Sequence, residues 1–385
     1  MRKKILFIVG NMESGGVSKS MASMVNTIDT ERFEVDLMVV NPTGVFMKLI
    51  PQAVNLITTE RNAIFLSSFP ANMPTLLKKG YLKLFVLRFF SALFMKIDKG
   101  IAGWILSRGM EPIQKQYDLA VDFNGQQQLC YLVDKIMATK KITFFHNDYK
   151  KWDFYYTMDK KYFPKVDKIF TVSTECVNSL IDCFPQEANK VALFENISNE
   201  KVIKQLAKAH LPDLYENAII TIEHLTERKG TTLALEAATI LKNRGVDYKW
   251  YFLGYNTKER DYEKIIQQRG LQDHTELLGI KANPYPYLKA ALIVVHPSKF
   301  EGKSIALDEA KILAKPVVVT NFSTVKDQFE NGVNATICEM DAEALANAIE
   351  DLLTNKAKRD KYETALKTVS FDTSSEINKL YQLIV

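Results

Sequence analysis

The stretch "ALIVVHPSKFEGKSIALDEAKIL", Ala291 to Leu313, followed by "AKPVVVTN", decides the fold. An apolar run too short for a helix ends at Pro297. A loop turns through Gly302, apolar positions then recur at helical spacing, and a second apolar run opens at Pro316. Strand, loop, helix, strand is the repeating unit of a parallel sheet, because parallel neighbours need a crossover between them. The same alternation extends outward. "NAIITI", "YKWYFLG" and "TELLG" read as strands, and "TTLALEAATILKNRG", "RDYEKIIQQRG" and "AEALANAIEDLL" as helices. An earlier array repeats the grammar with "KILFIV", "FEVDLMVV", "YDLAVDF", "KKITFFH" and "KIFTVS". Continuous Val, Ile, Leu and Phe runs are those of strands covered on both faces. The expectation is an α/β protein of two Rossmann-like domains, with a ligand cleft facing the carboxyl ends of the strands.

A chain of 385 residues exceeds one ordinary core. The boundaries are expected at 1–200 and 201–370, with the hinge inside "ENISNEKVIKQLAKAH" and a terminal helix, 371–385, packing back on the first domain. Hydrophobic content of 47% with 25% charged residues excludes a disordered chain. The net charge of +5 is spread along the sequence, which favours anionic partners without calling for nucleic acid. Cys130, Cys176, Cys183 and Cys338 lack metal-type spacing and read as reduced cytoplasmic thiols. The opening "MRKKILFIVGNMESGG" has too short an apolar run for a signal peptide and reads as a buried first strand entering a loop.

Residues 76–106, "LLKKGYLKLFVLRFFSALFMKIDKGIAGWIL", break the alternation. Lys78, Lys79, Lys83, Arg88, Lys96 and Lys99 accompany a single acid, Asp98. Charges interrupt the stretch too often for a membrane span. The reading is a segment lying in the interface of an anionic membrane, against the plainer one of core helices with solvated lysines.

The loops carry the chemistry. Glu301 and Glu309 have seven residues between them, one in the glycine loop and one in the helix after it. A helix start near Ser304 would offer N–H groups of Lys303, Ser304 and Ile305 to a phosphate. Glu301 would then meet sugar hydroxyls, and Glu309 a ribose diol. "TIEHLTERKG" sets His224 and Lys229 beyond a strand, as cations for a diphosphate. Leu278, Gly279 and Ile280 offer backbone groups to a base edge. "ESGGVSKS" places Gly15 and Gly16 at a strand-to-helix turn, where a phosphate or sugar approaches without a Cβ clash. "FFHND" ends a strand with His146.

On "GGVSKS", "FFHND", "EHLTERKG", "LLGIKANPYPYLKAA" and "HPSKFEGKSIALDEA", the chain resembles the retaining glycosyltransferases of family 4, which have the two-domain GT-B fold. The resemblance implies that Glu301 contacts the donor sugar, Glu309 the ribose, and Lys229 the diphosphate. It implies that Leu278 to Ile280 frame the base, that Gly16 approaches the phosphate from the opposite domain, and that His146 meets the sugar near the reaction centre. Where that family usually has Gly-Arg-Leu, this chain has Glu223-His224-Leu225. Histidine is not a permanent bidentate cation, so either diphosphate binding leans harder on Lys229 and the helix start, or the phosphate holds His224 protonated. Lys303 replaces a common aromatic or small residue and adds charge.

The expected activity is transfer of a sugar from a nucleotide sugar, UDP being the commoner nucleotide, to a lipid-linked or saccharide acceptor in bacterial surface polysaccharide assembly. The expected location is the inner face of the cell membrane. No Asp-x-Asp motif is present, so neither metal nor cofactor is expected. Without a placed nucleophile, same-face attack is expected, the leaving phosphate taking the acceptor's proton. A sugar-nucleotide epimerase would turn over without acceptor, and a silent binding protein would not turn over at all.

Overall fold

The computed structural model describes residues 2–384 except 14, 127, 153, 211 and 258. Two units divide the chain, Met1–Asn196 with Ser375–Val385, and Ile197–Ser374. The boundaries read from sequence near 200 and 370 fall a few residues away.

The first unit holds a seven-stranded sheet in the order β3-β2-β1-β4-β5-β6-β7. These strands are β1 (Lys3–Val9), β2 (Phe33–Val39), β3 (Asn55–Ile57), β4 (Ile113–Asp122), β5 (Ile136–Phe145), β6 (Lys168–Thr171) and β7 (Val191–Leu193). The second holds six strands, β8 (Ala218–Ile222), β9 (Lys249–Leu253), β10 (Thr275–Gly279), β11 (Ile293–His296), β12 (Val317–Thr320) and β13 (Thr336–Cys338). Their order is β10-β9-β8-β11-β12-β13. Every pairing among the described residues is parallel. In each sheet the order reverses once, between β1 and β4 and between β8 and β11. Such reversals open a crevice outside the strands' carboxyl ends, where ligands bind in this architecture.

The run Ile5–Val9 is fully buried, as are Val317–Val319, which accounts for their continuous apolar sequence. The terminal helix Asn378–Ile384 belongs to the first unit. Tyr381 stacks on Phe33 at 4.7 Å, and its hydroxyl accepts from the Asp29 N–H at 2.9 Å.

Residues 76–106 fall in helices Met73–Lys78, Leu82–Phe94 and Lys99–Gly109. Leu76, Leu84 and Ala102 are buried, and the Ser91 hydroxyl donates to the Ala102 carbonyl at 3.0 Å. Arg88 corrects the expectation of a solvent-facing cation. It donates to the Ser67 carbonyl at 3.0 Å and lies over the Phe69 ring. Lys79 is likewise not a free surface charge, being paired with Glu60. Lys78, Lys83 and Lys96 are exposed. So are Leu82, Val86, Phe89 and Leu93, which share one stripe of the middle helix, with Phe90 and Ile97 beside it. No helix among the described residues is long and apolar enough to cross a membrane.

Candidate active site

The second unit concentrates charge at its strand reversal. Gly230 has φ 75°, and a Cβ there would stand 1.9 Å from the Pro297 carbonyl oxygen. Only glycine permits this approach, which draws the loop after β8 onto the loop after β11. The Lys299 N–H donates to the Arg228 carbonyl at 2.9 Å and locks the two loops together. Lys229 is thereby set against Glu301, its ammonium 2.5 Å from Oε1. The Ser298 hydroxyl donates to the same oxygen at 2.7 Å. His296, the last residue of β11, points Nε2 at it from 3.3 Å and Nδ1 at Glu223 Oε2 from 3.6 Å. Glu223 stands one residue beyond β8 and is fixed from behind, since a Cβ on Gly254 would lie 1.8 Å from its carbonyl oxygen.

Burial pushes the Glu301 carboxyl upward, but the Lys229 ammonium, His296 and Arg228 outweigh it and hold the group well below the usual carboxylate range. Burial raises Glu223 well above that range, with Lys229 opposing and Glu301 adding. His296 is lowered by burial against the pull of Glu301. Ligand atoms of Glu223, His296 and Glu301 lie within 4.8 Å of one another, a spacing that suits a metal ion. The ammonium of Lys229 already occupies the cation's place on Glu301, so the group is balanced by a side chain.

The loop carrying Glu301 is braced from beneath. The Thr324 hydroxyl donates to the Glu301 carbonyl at 3.0 Å, and Gln328 accepts from the Ser304 N–H at 3.0 Å. That bond corrects one expectation: the helix begins at Ile305, and the Ser304 N–H is spent within the protein. Lys303 is also not an open cation, for its ammonium is buried 3.8 Å from Asp308. Glu309 is buried too, its Oε1 accepting from the Tyr285 hydroxyl at 2.9 Å, so a ribose would have to join or displace that bond. At the end of β10 the Gly279 carbonyl accepts from Gly254, which removes it from the groups open to a base edge. Gly279 has φ 68° with nothing near its Cβ direction, Leu278 is half-buried, and Ile280 is exposed. The half-buried His224 ring meets Tyr255 edge-on at 6.2 Å.

In the first unit, Gly15 caps the helix Gly16–Thr27 beyond β1. His146 follows β5, and its Nε2 donates to the Phe123 carbonyl at 2.7 Å. Burial lowers this imidazole to about 4, against the Phe123 carbonyl, so it is neutral with Nδ1 as an acceptor. Asp122 ends β4 and accepts from Thr143 and the Gly125 N–H. Burial lifts it to about 7 against those hydrogen bonds.

Lys229 and Glu301 thus come together directly. Glu223, His296 and Ser298 were missed as site residues. The signal that marked His146, a polar residue ending an apolar run, was present at His296 as well.

Residues 202–368, within the second unit, match the family described as Glycosyl transferases group 1. The amylovoran biosynthesis glycosyltransferase AmsK of Erwinia amylovora is 29% identical over 228 residues, 55% of this chain and 54% of its own length. A Campylobacter jejuni enzyme, the N-acetylgalactosamine-N,N'-diacetylbacillosaminyl-diphospho-undecaprenol 4-alpha-N-acetylgalactosaminyltransferase, is 26% identical over 53% of this chain and 57% of its own. The chain spans about half the length of the curated relatives it matches. The crystal structure of Anabaena HepE in complex with UDP and glucose superposes with a TM-score of 0.70 at 16% identity, covering 99% of both chains. The fold is GT-B.

Proposed function

We propose that the protein is a retaining, metal-independent glycosyltransferase that moves a sugar from a nucleotide sugar, with UDP as the nucleotide, to a saccharide or lipid-linked acceptor in bacterial surface polysaccharide synthesis. The observation that carries this reading is the Lys229–Glu301 pair at the strand reversal of the group 1 domain. Breaking the bond from the anomeric carbon to phosphate leaves a diphosphate and an oxocarbenium-like sugar. Lys229 answers the first charge and Glu301 the second. His224 and the helix starting at Ile305 assist at the diphosphate, Glu309 at the ribose, and Leu278 to Ile280 at the base. In the first unit Gly15 and Gly16 serve the phosphate and His146 the donor sugar. UDP is supported by the nucleotide bound to HepE, and a lipid-linked acceptor by the diphospho-undecaprenol in the name of the Campylobacter relative. The test is a panel of UDP- and GDP-sugars with release of nucleoside diphosphate as readout. Release from one donor, stimulated by acceptor, is expected. No release from any donor overturns the reading, and conversion of the sugar nucleotide without acceptor favours the epimerase.

The exposed stripe Leu82, Val86, Phe89 and Leu93, flanked by Lys78, Lys83 and Lys96, supports attachment to an anionic membrane on its cytoplasmic face. Each cation near such a surface contributes about 1 kcal/mol, and the apolar stripe adds insertion energy. Changing Lys78, Lys83 and Lys96 to glutamate is expected to abolish co-sedimentation with anionic vesicles at low salt. Equal binding of variant and wild type, or none by either, returns these helices to a core role.

A further inference from the structure

Lys229 Nζ, Ser298 Oγ and His296 Nε2 lie 2.5, 2.7 and 3.3 Å from Glu301 Oε1, so three donors converge on one oxygen. Facing an ionised carboxylate, Nε2 carries the hydrogen, and a neutral imidazole then has only a lone pair at Nδ1. That lone pair faces Glu223 Oε2 at 3.6 Å, just outside hydrogen-bonding range. Both Glu223 oxygens are shielded from solvent and lack a hydrogen-bond partner among the described residues. Two lone pairs cannot satisfy each other, so the carboxyl must bring a proton to the pair. The charges around it are Lys229, Arg228 and Glu301. Thr320, which donates to the His296 carbonyl, and Phe322, edge-on to its ring, add none. The resting order is therefore carboxylic acid, neutral imidazole, carboxylate, ammonium.

This inference rests on the reading of Lys229 as a diphosphate ligand. A diphosphate competes with Glu301 for the same ammonium. As Lys229 turns to it, Glu301 stays buried and loses its strongest partner, a costly state for a carboxylate. We propose that Glu223 and His296 are positioning residues that replace Lys229 as the partner of Glu301 while a nucleoside diphosphate is bound. The proton on Glu223 passes to His296 Nδ1. One O–H bond breaks, one N–H bond forms, no solvent proton enters, and the charge of the three groups is conserved. An imidazolium then stands between two carboxylates, each accepting one of its N–H groups. While it remains close, Lys229 depresses the proton affinity of both Glu223 and His296, so its departure raises both, and the transfer is driven by the uncompensated Glu301 carboxylate, which an adjacent imidazolium can balance.

The test uses the full chain with ring-labelled histidine, observed by ¹⁵N resonance at pH 8 with and without saturating UDP or GDP. The chain has five histidines, and His296→Gln assigns the signal. The expected result is a neutral His296 bearing hydrogen at Nε2 alone, becoming protonated at both nitrogens when nucleotide binds. In Glu223→Gln, whose fold is checked by its melting temperature, the ring stays neutral with nucleotide bound. Its turnover falls about tenfold to a hundredfold, as for residues that orient a functional group, with nucleotide affinity nearly unchanged. A neutral ring in nucleotide-bound wild type overturns the proposal, as does a protonated ring in Glu223→Gln. If neither nucleotide binds the wild type by calorimetry, the diphosphate reading itself fails, a result distinct from binding without protonation.

Discussion

The two sheets share a plan and differ in what they place at its reversal. At the carboxyl edge between β8 and β11, the Lys229 ammonium and the His296 imidazole meet one oxygen of Glu301, with the Glu223 carboxyl on the far side of the imidazole. At the edge between β1 and β4 stand a glycine turn and Asp122, with the neutral His146 beyond neighbouring β5. One edge is built around charge and suits a diphosphate leaving group. The other suppresses charge and suits groups that only hydrogen-bond. Topology fixes where a ligand sits, and the residues from the last position of each strand to about seven beyond it fix its chemistry.

Removing Glu301 breaks the charged edge most severely. Glu301→Ala is expected to lower turnover about a hundredfold to a thousandfold, the loss typical of a group that stabilises transition-state charge. Nucleotide affinity should change far less, since the variant frees Lys229. Steady-state kinetics beside calorimetry separates the two, and normal turnover would remove Glu301 from the reaction. Lys229→Ala attacks the same pair from the other side. Breaking a buried ion pair by deleting one partner costs about 3–5 kcal/mol, and Ser298 and His296 should hold the loss near the lower end. Denaturant unfolding measures it. A variant as stable as wild type would mean that Glu301 does not depend on the ammonium.

The neutral edge is probed by pH. Asp122 is raised in the folded chain from 3.8 to about 7. A carboxyl raised on folding contributes stability fully below its unfolded value, and that contribution is lost as pH rises through the folded one. Asp122→Asn should therefore narrow the loss of stability between pH 4 and 8, raising the melting temperature at pH 8 by a few degrees or about 1 kcal/mol. His146 runs in the opposite sense. Its lowered value, about 4, makes stability present above 6.5 and lost as pH falls toward 4. If Asp122→Asn leaves the pH dependence unchanged, the first edge does not hold its acid neutral.

Reading by pattern found the long central strands and missed the three-residue edge strands β3, β7 and β13, which are too short to display a period. It found Glu301 and Lys229 because a glycine loop and a strand end advertise themselves. Glu223 went unread as a site residue because its importance lies in His296, seventy-three positions later and in the neighbouring strand. The internal partners of Ser304, Lys303 and Gly279 were likewise invisible. Gln328 and Gly254 reach Ser304 and Gly279 only through tertiary packing, and Asp308 reaches Lys303 only through the local turn into the helix.

The smallest expected effect is none, and it tests what the charged edge is for. Glu223, His296 and Glu301 have the donor types and the mutual distances of a metal site. A divalent ion there would have to displace an ammonium held at 2.5 Å and a hydroxyl at 2.7 Å from Glu301. It would also need Glu223 ionised, although burial favours its acid form. The side chains around Glu301 already supply a cation, so if the proposed function holds, nucleoside diphosphate release should continue at an unchanged rate in excess EDTA. Activity lost in chelator and restored by manganese or magnesium would show that the ion, and not Lys229, carries the diphosphate's charge. The ammonium would then be a placeholder for the metal, and the two edges would differ by an ion binding site instead of by an internal ion pair.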